Sequence, residues 1–189
     1  LVLSGIIISS IFSALISLVK YSADPYDKLP AITYWLMGSF AKADFDKIQI
    51  IGLPMIAAGA LLIAIRWRIN ILSLGEEEAR SLGVNPARIR NIAIVAATIL
   101  TALSVTACGI VGWVGLVIPH MCRRMVGVDH ARLLPAACFM GAIFLALVDI
   151  CARSLLAAEL PIGILTALLG APFFAFLLKR TREKQGDWS

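Results

Sequence analysis

Residues 91–122, NIAIVAATILTALSVTACGIVGWVGLVIPHMC, decide the fold, because this stretch of 32 residues contains no Asp, Glu, Lys or Arg. A single helix of that length would run roughly 48 Å, whereas the hydrocarbon core of a bilayer is about 30 Å thick. Its second half contains four residues that favour a turn, Gly109, Gly112, Gly115 and Pro119. We therefore expect a long helix to about residue 111, a turn, and a short returning helix that ends at Pro119 and His120.

The composition supports a membrane protein. Of the 189 residues, 60% are hydrophobic and 15% are charged, against about 45–50% and 25% in soluble domains. The mean hydropathy of +0.89 excludes a water-soluble globule. The net charge of +5 does not indicate nucleic-acid binding, which needs basic residues clustered on a soluble face. In a membrane protein this surplus indicates cytoplasmic loops.

Four further stretches have the length of membrane spans, which is about 20 apolar residues. With the two crossings of 91–122, they predict an all-α, polytopic transmembrane helical bundle of about six spans. The four stretches are residues 1–19, 48–65, 133–155 and 161–178.

The basic residues orient this bundle, since short loops rich in Lys and Arg face the cytoplasm. Arginines concentrate in loops 66–90 and 123–132 and in the tail from Lys179 to Lys184. All three fall on one side only if 91–122 crosses twice. Loop 20–47 then lies outside the cytoplasm, with four lysines balanced by four aspartates, and its stretch 30–40 is expected to form an interfacial helix.

We call residues 74–90 the knob. Its sequence predicts a helix that begins with three glutamates and ends at Gly83, followed by a short helix that begins at Asn85 and Pro86. Such a compact surface either fits a groove on another protein or is a well-capped solvent loop. The spacing alone leaves both interpretations open.

Two charges lie inside a predicted span. Asp149 and Arg153 are four residues apart, so they share one helix face and can form an ion pair near Glu159. Charges within a membrane are costly and often serve transport or a partner. An internal salt bridge and a functional role both remain open, including a charge relay in an ion-coupled secondary transporter.

Enzymatic motifs are absent from the sequence. It has no phosphate-binding Gly-x-x-x-x-Gly-Lys-Ser/Thr, no Gly-x-Ser-x-Gly, no His-Glu-x-x-His and no Cys-x-x-Cys. The four cysteines are separated by 14, 16 and 13 residues, which is not the spacing of metal ligands. We expect a chain that is not an enzyme, has no catalytic residue, and holds no cofactor or metal.

Several ordered motifs resemble the permease subunits of bacterial importers for iron-siderophore complexes, haem and cobalamin. The motifs extend over nearly the whole chain. They are Tyr34-Trp35-Leu36-Met37-Gly38-Ser39-Phe40, Leu74-Gly75 through Ala79 to Leu82-Gly83-Val84, Gly112-Trp113-Val114-Gly115-Leu116-Val117-Ile118-Pro119-His120, Glu159-Leu160-Pro161-Ile162-Gly163, and Gly170-Ala171-Pro172-Phe173-Phe174.

The resemblance implies a role in transport across the bacterial inner membrane. Permeases of this family have about ten spans, pair as a homodimer or pseudo-dimer, and work with cytoplasmic ATP-binding subunits and an extracytoplasmic substrate-binding protein. This chain resembles the carboxyl-terminal six spans, so we expect the amino-terminal spans to be missing.

The resemblance also implies roles for individual residues. The knob corresponds to the coupling helices that contact the ATPase, and Arg153, beside Glu159, resembles the outer-face arginines that meet glutamates of the binding protein. Ser4, Ser9 and Ser13 are candidates for the surface of the translocation path, although small hydroxyl residues also pack helices together. The coupling residues implied are Gly75, Glu76, Glu77, Glu78, Ala79, Arg80, Leu82 and Gly83.

Overall fold

The computed structural model describes residues 2–41, 44–154 and 159–186, and these ranges contain eight helices and no strand. The chain divides into two compact units, residues 1–36 and 37–189. The helices are α1 (Val2–Ser22), α2 (Lys28–Leu36), α3 (Phe45–Leu72), α4 (Glu76–Ser81), α5 (Pro86–Cys108), α6 (Val114–Val126), α7 (His130–Ser154) and α8 (Ile162–Gly186).

The first unit consists of α1 and α2. Asp24 shapes their connection, because its Oδ1 accepts hydrogen bonds from the backbone N–H groups of Tyr26, at 2.8 Å, and Asp27, at 3.1 Å. Apolar side chains of the two helices, such as Phe12 and Trp35, line a cavity of about 600 Å³. The helix expected over residues 30–40 is present but ends at Leu36.

Four helices within the described ranges are long and apolar enough to cross a bilayer, namely α1, α3, α5 and α7. The apolar part of α8 is shorter, Ile162–Phe176. Helix α6 has 13 residues, which corresponds to roughly 20 Å. Six separate helices thus occupy the predicted spans, and four of them have the full length of a crossing.

The predicted break in residues 91–122 is confirmed, with two differences in detail. Helix α5 ends at Cys108 rather than near 111, because Gly109 adopts a positive φ of 75°. Helix α6 does not end at Pro119 but continues to Val126. A proline inside a helix removes one backbone hydrogen bond. Here the helix persists because its buried residues Ile118 and Cys122 pack against Leu133 of α7.

The two helices on either side of the knob, α3 and α5, differ from their predictions. No separate short helix follows Asn85, because Pro86 is the first residue of α5, which is continuous to Cys108. Helix α3 continues to Leu72, beyond the predicted span end at residue 65. The arginines expected in loop 123–132 lie within helices, Arg123 and Arg124 in the last turn of α6 and Arg132 in the first turn of α7.

Three connections of the second unit meet through backbone hydrogen bonds at what we call the glycine junction, residues 37–39, 108–110 and 162–163. The N–H of Ser39 donates to the carbonyl of Cys108 at 2.9 Å, and the first two N–H groups of α8 donate to the carbonyls of Gly38, at 2.9 Å, and Met37, at 3.0 Å. The two bonds from α8 satisfy donors that a helix start leaves without an intrahelical partner, and the bond from Ser39 satisfies a carbonyl that the end of α5 leaves free.

The opposite ends of the helices also meet. Oδ1 of Asn70, near the end of α3, lies 3.4 Å from the backbone N–H of His130, the first residue of α7. The knob lies between the end of α3 and the start of α5. Helices α3, α5, α6, α7 and α8 therefore run alternately between the glycine junction and the end that carries the knob.

Parts of several predictions lie outside the described residues, among them Leu1 of the predicted span 1–19. Lys42 belongs to the predicted loop 20–47, and Leu155 belongs to the predicted span 133–155. The side chains of the basic tail, from Lys179 to Lys184, are also outside the description.

Candidate functional site

The knob is built around the six-residue helix α4. Gly75 precedes the helix with φ 127°, and three glutamates occupy the first turn, where carboxylates are stabilised by the helix dipole. At the other end Gly83 adopts φ 76°. Its N–H donates to the carbonyl of Arg80 at 3.0 Å, and the N–H of Val84 donates to that of Ala79 at 2.9 Å. This is a Schellman motif, so the predicted stop at Gly83 is confirmed.

Asn85 and Pro86 then start α5. The Asn85 side chain accepts a hydrogen bond from the N–H of Arg88 at 3.1 Å, and Pro86 occupies the first helical position. Pro86 and Ile89 are buried. The predicted helix start at Asn85 and Pro86 is thus confirmed, and only four residues separate α4 from α5.

One face of α4 is fixed to the bundle and the other is open. Helix α4 contacts both α3 and α5, and Ala79 is fully buried. Leu74 and Leu82 on either side of the helix remain 63% and 59% exposed. Glu77 and Glu78 are exposed as well. The knob therefore presents two leucines and two carboxylates on a surface that the rest of the chain holds in place.

Glu76 does not belong to this open set, because its carboxylate binds two arginines. Oε1 accepts a hydrogen bond from Nη2 of Arg90 at 2.5 Å, and Oε2 lies 3.6 Å from Nη2 of Arg80. The hydrogen bond from Arg90, and then the charge of that guanidinium, hold the pKa of Glu76 below its usual value. Glu76 is therefore a carboxylate at neutral pH.

The predicted ion pair of α7 is confirmed, and it includes a second carboxylate, that of Glu159. Nε of Arg153 lies 3.0 Å from Oδ2 of Asp149, and Nη1 lies 3.6 Å from Oε1 of Glu159. The Arg153 side chain is still 47% exposed. One guanidinium thus binds two carboxylates next to the glycine junction, where Leu160 donates to the carbonyl of Ala152 at 3.2 Å.

The three candidate path serines all belong to α1. Ser4, Ser9 and Ser13 are exposed. Three other serines of this helix donate to its own backbone, Ser10 to the carbonyl of Ile6 and Ser17 to that of Ser13, both at 2.9 Å, and Ser22 to that of Val19 at 3.2 Å. The path assignment stays a prediction.

The contact of Arg90 is a feature of the knob that the sequence does not predict. Arg90 lies 14 positions from Glu76, outside the three- and four-residue spacings that identify pairs on one helix. Nothing in the local sequence could have identified this contact. The part of the chain that the structure describes contains no cluster of three or more His, Cys, Asp or Glu side chains that could hold a metal.

Comparison with known proteins agrees with these features. The chain is 46% identical to the molybdate import system permease protein MolB of Haemophilus influenzae over 97% of its own length and 54% of the relative. It is 36% identical to the hemin transport system permease protein HmuU of Yersinia pestis, over 98% of the chain and 55% of the relative. The chain thus spans about half the length of the curated relatives that it matches.

A solved structure has the same fold. It is an inward-facing conformation of a transporter assigned to the metal-chelate type of ABC transporters, and it matches with a TM-score of 0.90 and 47% sequence identity. The match covers 94% of this chain and 58% of the solved one. The profile of the FecCD transport family matches residues 1–180. With a family match over nearly its whole length, the chain belongs to the FecCD transport family.

Proposed function

We propose that the chain forms part of the transmembrane permease of an ATP-driven importer for iron-siderophore or related metal-chelate substrates. The observation that carries the proposal is the rigid knob, with Leu74 and Leu82 exposed on either side of a helix whose Ala79 is buried. Exposed apolar side chains held on a fixed backbone are suited to a protein partner.

The proposed partner of the knob is a cytoplasmic ATP-binding subunit. The chain has no phosphate-binding motif of its own, so the energy of ATP would reach the spans through contact. Binding and hydrolysis of ATP in the partner would shift the knob, and the helices would open the path alternately to each side. The chain itself makes and breaks no bond in this mechanism.

Three further elements complete the proposal. A second permease copy, identical or similar, would form the other half of the path. A substrate-binding protein would dock outside, with Arg153 and Glu159 in the contact. The location is the bacterial inner membrane, with loop 66–90 in the cytoplasm and loop 20–47 outside.

The proposed cargo rests on the names of the relatives and of the matching structure. The relatives are named for molybdate and for hemin, and the matching structure for a metal chelate. Ion-coupled transport through Asp149 and Arg153, the alternative, is not favoured, because both charges are already bound to each other at 3.0 Å.

Gly83 offers a direct test. We expect Gly83→Trp to abolish ATP-dependent uptake while the protein still inserts in the membrane. The bulky ring would project from the contact surface, and a positive φ costs an L-residue about 1–2 kcal/mol. Gly83→Asn is the control, since Asn tolerates this conformation and is small; it should retain most uptake.

The measurements are substrate uptake in cells, the amount of permease in the membrane, and copurification of the ATPase. Normal uptake by Gly83→Trp would show that the knob does not dock the ATPase. Absence of any ATPase from the purified unsubstituted transporter would reject the proposed function itself.

A further inference from the structure

We infer that the Glu76–Arg90 ion pair locks α4 to α5, so that the knob and α5 move as one body when the ATPase partner displaces the knob. Arg90 is then a positioning residue for coupling, although it lies outside the contact surface of α4. The inference rests on the proposed function. The Glu76–Arg90 ion pair, which we call the joint, would be the contact inside the chain through which that function acts.

The covalent connection between α4 and α5 cannot by itself keep them together as one body. It consists of residues 82–85, with Gly83 in the left-handed region. Helix α4 has only six residues, far fewer than an isolated helix needs to be stable in water. Residues 73–75 join the other end of α4 to α3 and not to α5. Apart from packing contacts, α4 would therefore be attached to α5 only at its carboxyl end, and the two helices could shift relative to each other.

The ion pair supplies a second attachment to α5, at the opposite end of α4. Glu76 is the first residue of α4, whereas the connection follows its last residue, Ser81. Arg90 is the fifth residue of α5 and reaches back to Glu76. Attachment to α5 at both ends of α4 limits the relative motion of the two helices that the connection at residues 82–85 alone would allow.

Within the described residues, the two arginine contacts of Glu76 have different consequences. The Arg80 contact is within α4 at 3.6 Å, so it cannot hold the helix to anything else. The Arg90 contact joins two helices, and at 2.5 Å it is the shorter of the two. Since each arginine uses a different carboxylate oxygen, Arg90 can be changed without removing the Arg80 contact.

Helix α5 is a suitable element to receive the motion. It is continuous over Pro86–Cys108, and the carbonyl of Cys108 accepts the N–H of Ser39 in the glycine junction at 2.9 Å. A displacement of the knob would therefore act on a helix that extends to the other end of the bundle. The side chains of Glu76 and Arg90 are 52% and 49% exposed, so the joint is accessible to solvent and sensitive to salt.

The test compares Arg90→Gln with Arg88→Gln in the assembled transporter. Arg88 lies in the same helix, is exposed, and makes no ion pair with any side chain that the structure describes. Both substitutions remove one positive charge from the first part of α5. Only Arg90→Gln removes the joint.

Three quantities are measured in proteoliposomes: copurified ATPase, ATP hydrolysis, and substrate transported per ATP hydrolysed. The substrate is whichever of molybdate, hemin, cobalamin and a ferric siderophore the unsubstituted transporter takes up. We expect Arg90→Gln to retain the ATPase but to transport about two- to fivefold less substrate per ATP, the range that a solvent-exposed ion pair can account for. Arg88 also lies in the knob, so Arg88→Gln controls for the loss of one positive charge there, and it should transport more substrate per ATP than Arg90→Gln.

Exchanging the two charges distinguishes loss of the ion pair from a general defect in folding. Glu76→Arg with Arg90→Glu restores opposite charges across the same contact, so the double variant should recover transport per ATP relative to Arg90→Glu alone. Equal ratios for Arg90→Gln and Arg88→Gln, or a double variant no better than Arg90→Glu, would overturn the inference. Loss of ATPase binding in the unsubstituted complex would instead reject the proposed function.

Discussion

Arg153 has an observed structural role, and we propose a functional one for it as well. Its guanidinium binds Asp149 at 3.0 Å and Glu159 at 3.6 Å. The side chain remains 47% exposed, whereas Asp149 is 26% exposed. The inner carboxylate therefore holds the arginine in place, while part of the guanidinium faces outward.

This arrangement predicts different effects for two substitutions. Arg153→Glu should weaken association with the substrate-binding protein by about fivefold or more at low salt, because it reverses the charge that faces the partner. Asp149→Asn removes only the inner contact and should leave the affinity within about twofold. Titration of the binding protein against the permease in detergent, at low and high salt, measures both. Unchanged affinity for Arg153→Glu would show that the arginine serves only the internal ion pairs.

Trp113 is a residue whose conformation could not be predicted from the sequence. It precedes α6 with φ 67°, a region that bulky residues rarely adopt. Its ring lies 6.3 Å from that of Phe174 of α8, and Gly170 leaves space for its Cβ. Contacts with a helix more than 50 residues away stabilise a local conformation that propensity disfavours.

At the scale of elements, the glycine junction depends on close backbone approach. A Cβ on Gly163 would collide with the carbonyl oxygen of Met37 and lie 3.0 Å from that of Ile110. Both obstacles are backbone atoms, which cannot rotate away as a side chain can. The start of α8 is therefore held against two other connections only as long as residue 163 is glycine.

Gly163→Ala should consequently destabilise the protein by about 1–3 kcal/mol, the usual range for overpacking. Gly141→Ala in α7 is the matched control, since its Cβ would meet only a methyl group of Ile118 at 3.9 Å. A glycine-to-alanine change within a helix is expected to be neutral or to stabilise by up to about 1 kcal/mol. Thermal unfolding in detergent compares the two variants. Equal midpoints would show that the junction tolerates the added carbon.

Which elements could be predicted depended on the range of the signal. The break within residues 91–122 followed from a length that no single span can use, and the end of α4 followed from Gly83. The predicted end of α6 was wrong. Pro119 was expected to stop the helix, but the packing of Ile118 and Cys122 against α7 maintains it. Prolines also lie inside α3, α7 and α8 at Pro54, Pro135 and Pro172.

At the scale of the whole molecule, the orientation in the membrane remains a prediction. The alternation of α3, α5, α6, α7 and α8 places the knob and the glycine junction at opposite ends. The basic loops then assign the knob to the cytoplasm.

Labelling of single cysteines tests this orientation. In a background with the four native cysteines replaced by alanine, a membrane-impermeant maleimide should label Tyr26→Cys in intact cells and should not label Leu82→Cys. Both positions are exposed, at 95% and 59%, so accessibility depends on the side of the membrane. Permeabilised cells serve as the control, since both variants should then react. Labelling of both residues in intact cells would refute the orientation.

The sequence by itself determined the class of the protein and its local structure. Two of its signals come from the whole chain, namely composition and the charge-free lengths. The others act over a few residues, namely the helix end at Gly83, the helix start at Asn85 and the Asp149–Arg153 pair. Pattern and spacing could identify both kinds. The tertiary structure alone decided the contacts that join the elements: Glu76 with Arg90, Asn70 with His130, Trp113 with Phe174, and Gly163 with Met37. Each joins residues from 14 to 126 positions apart. No local period relates such partners, because the packing of complete helices is what brings them together.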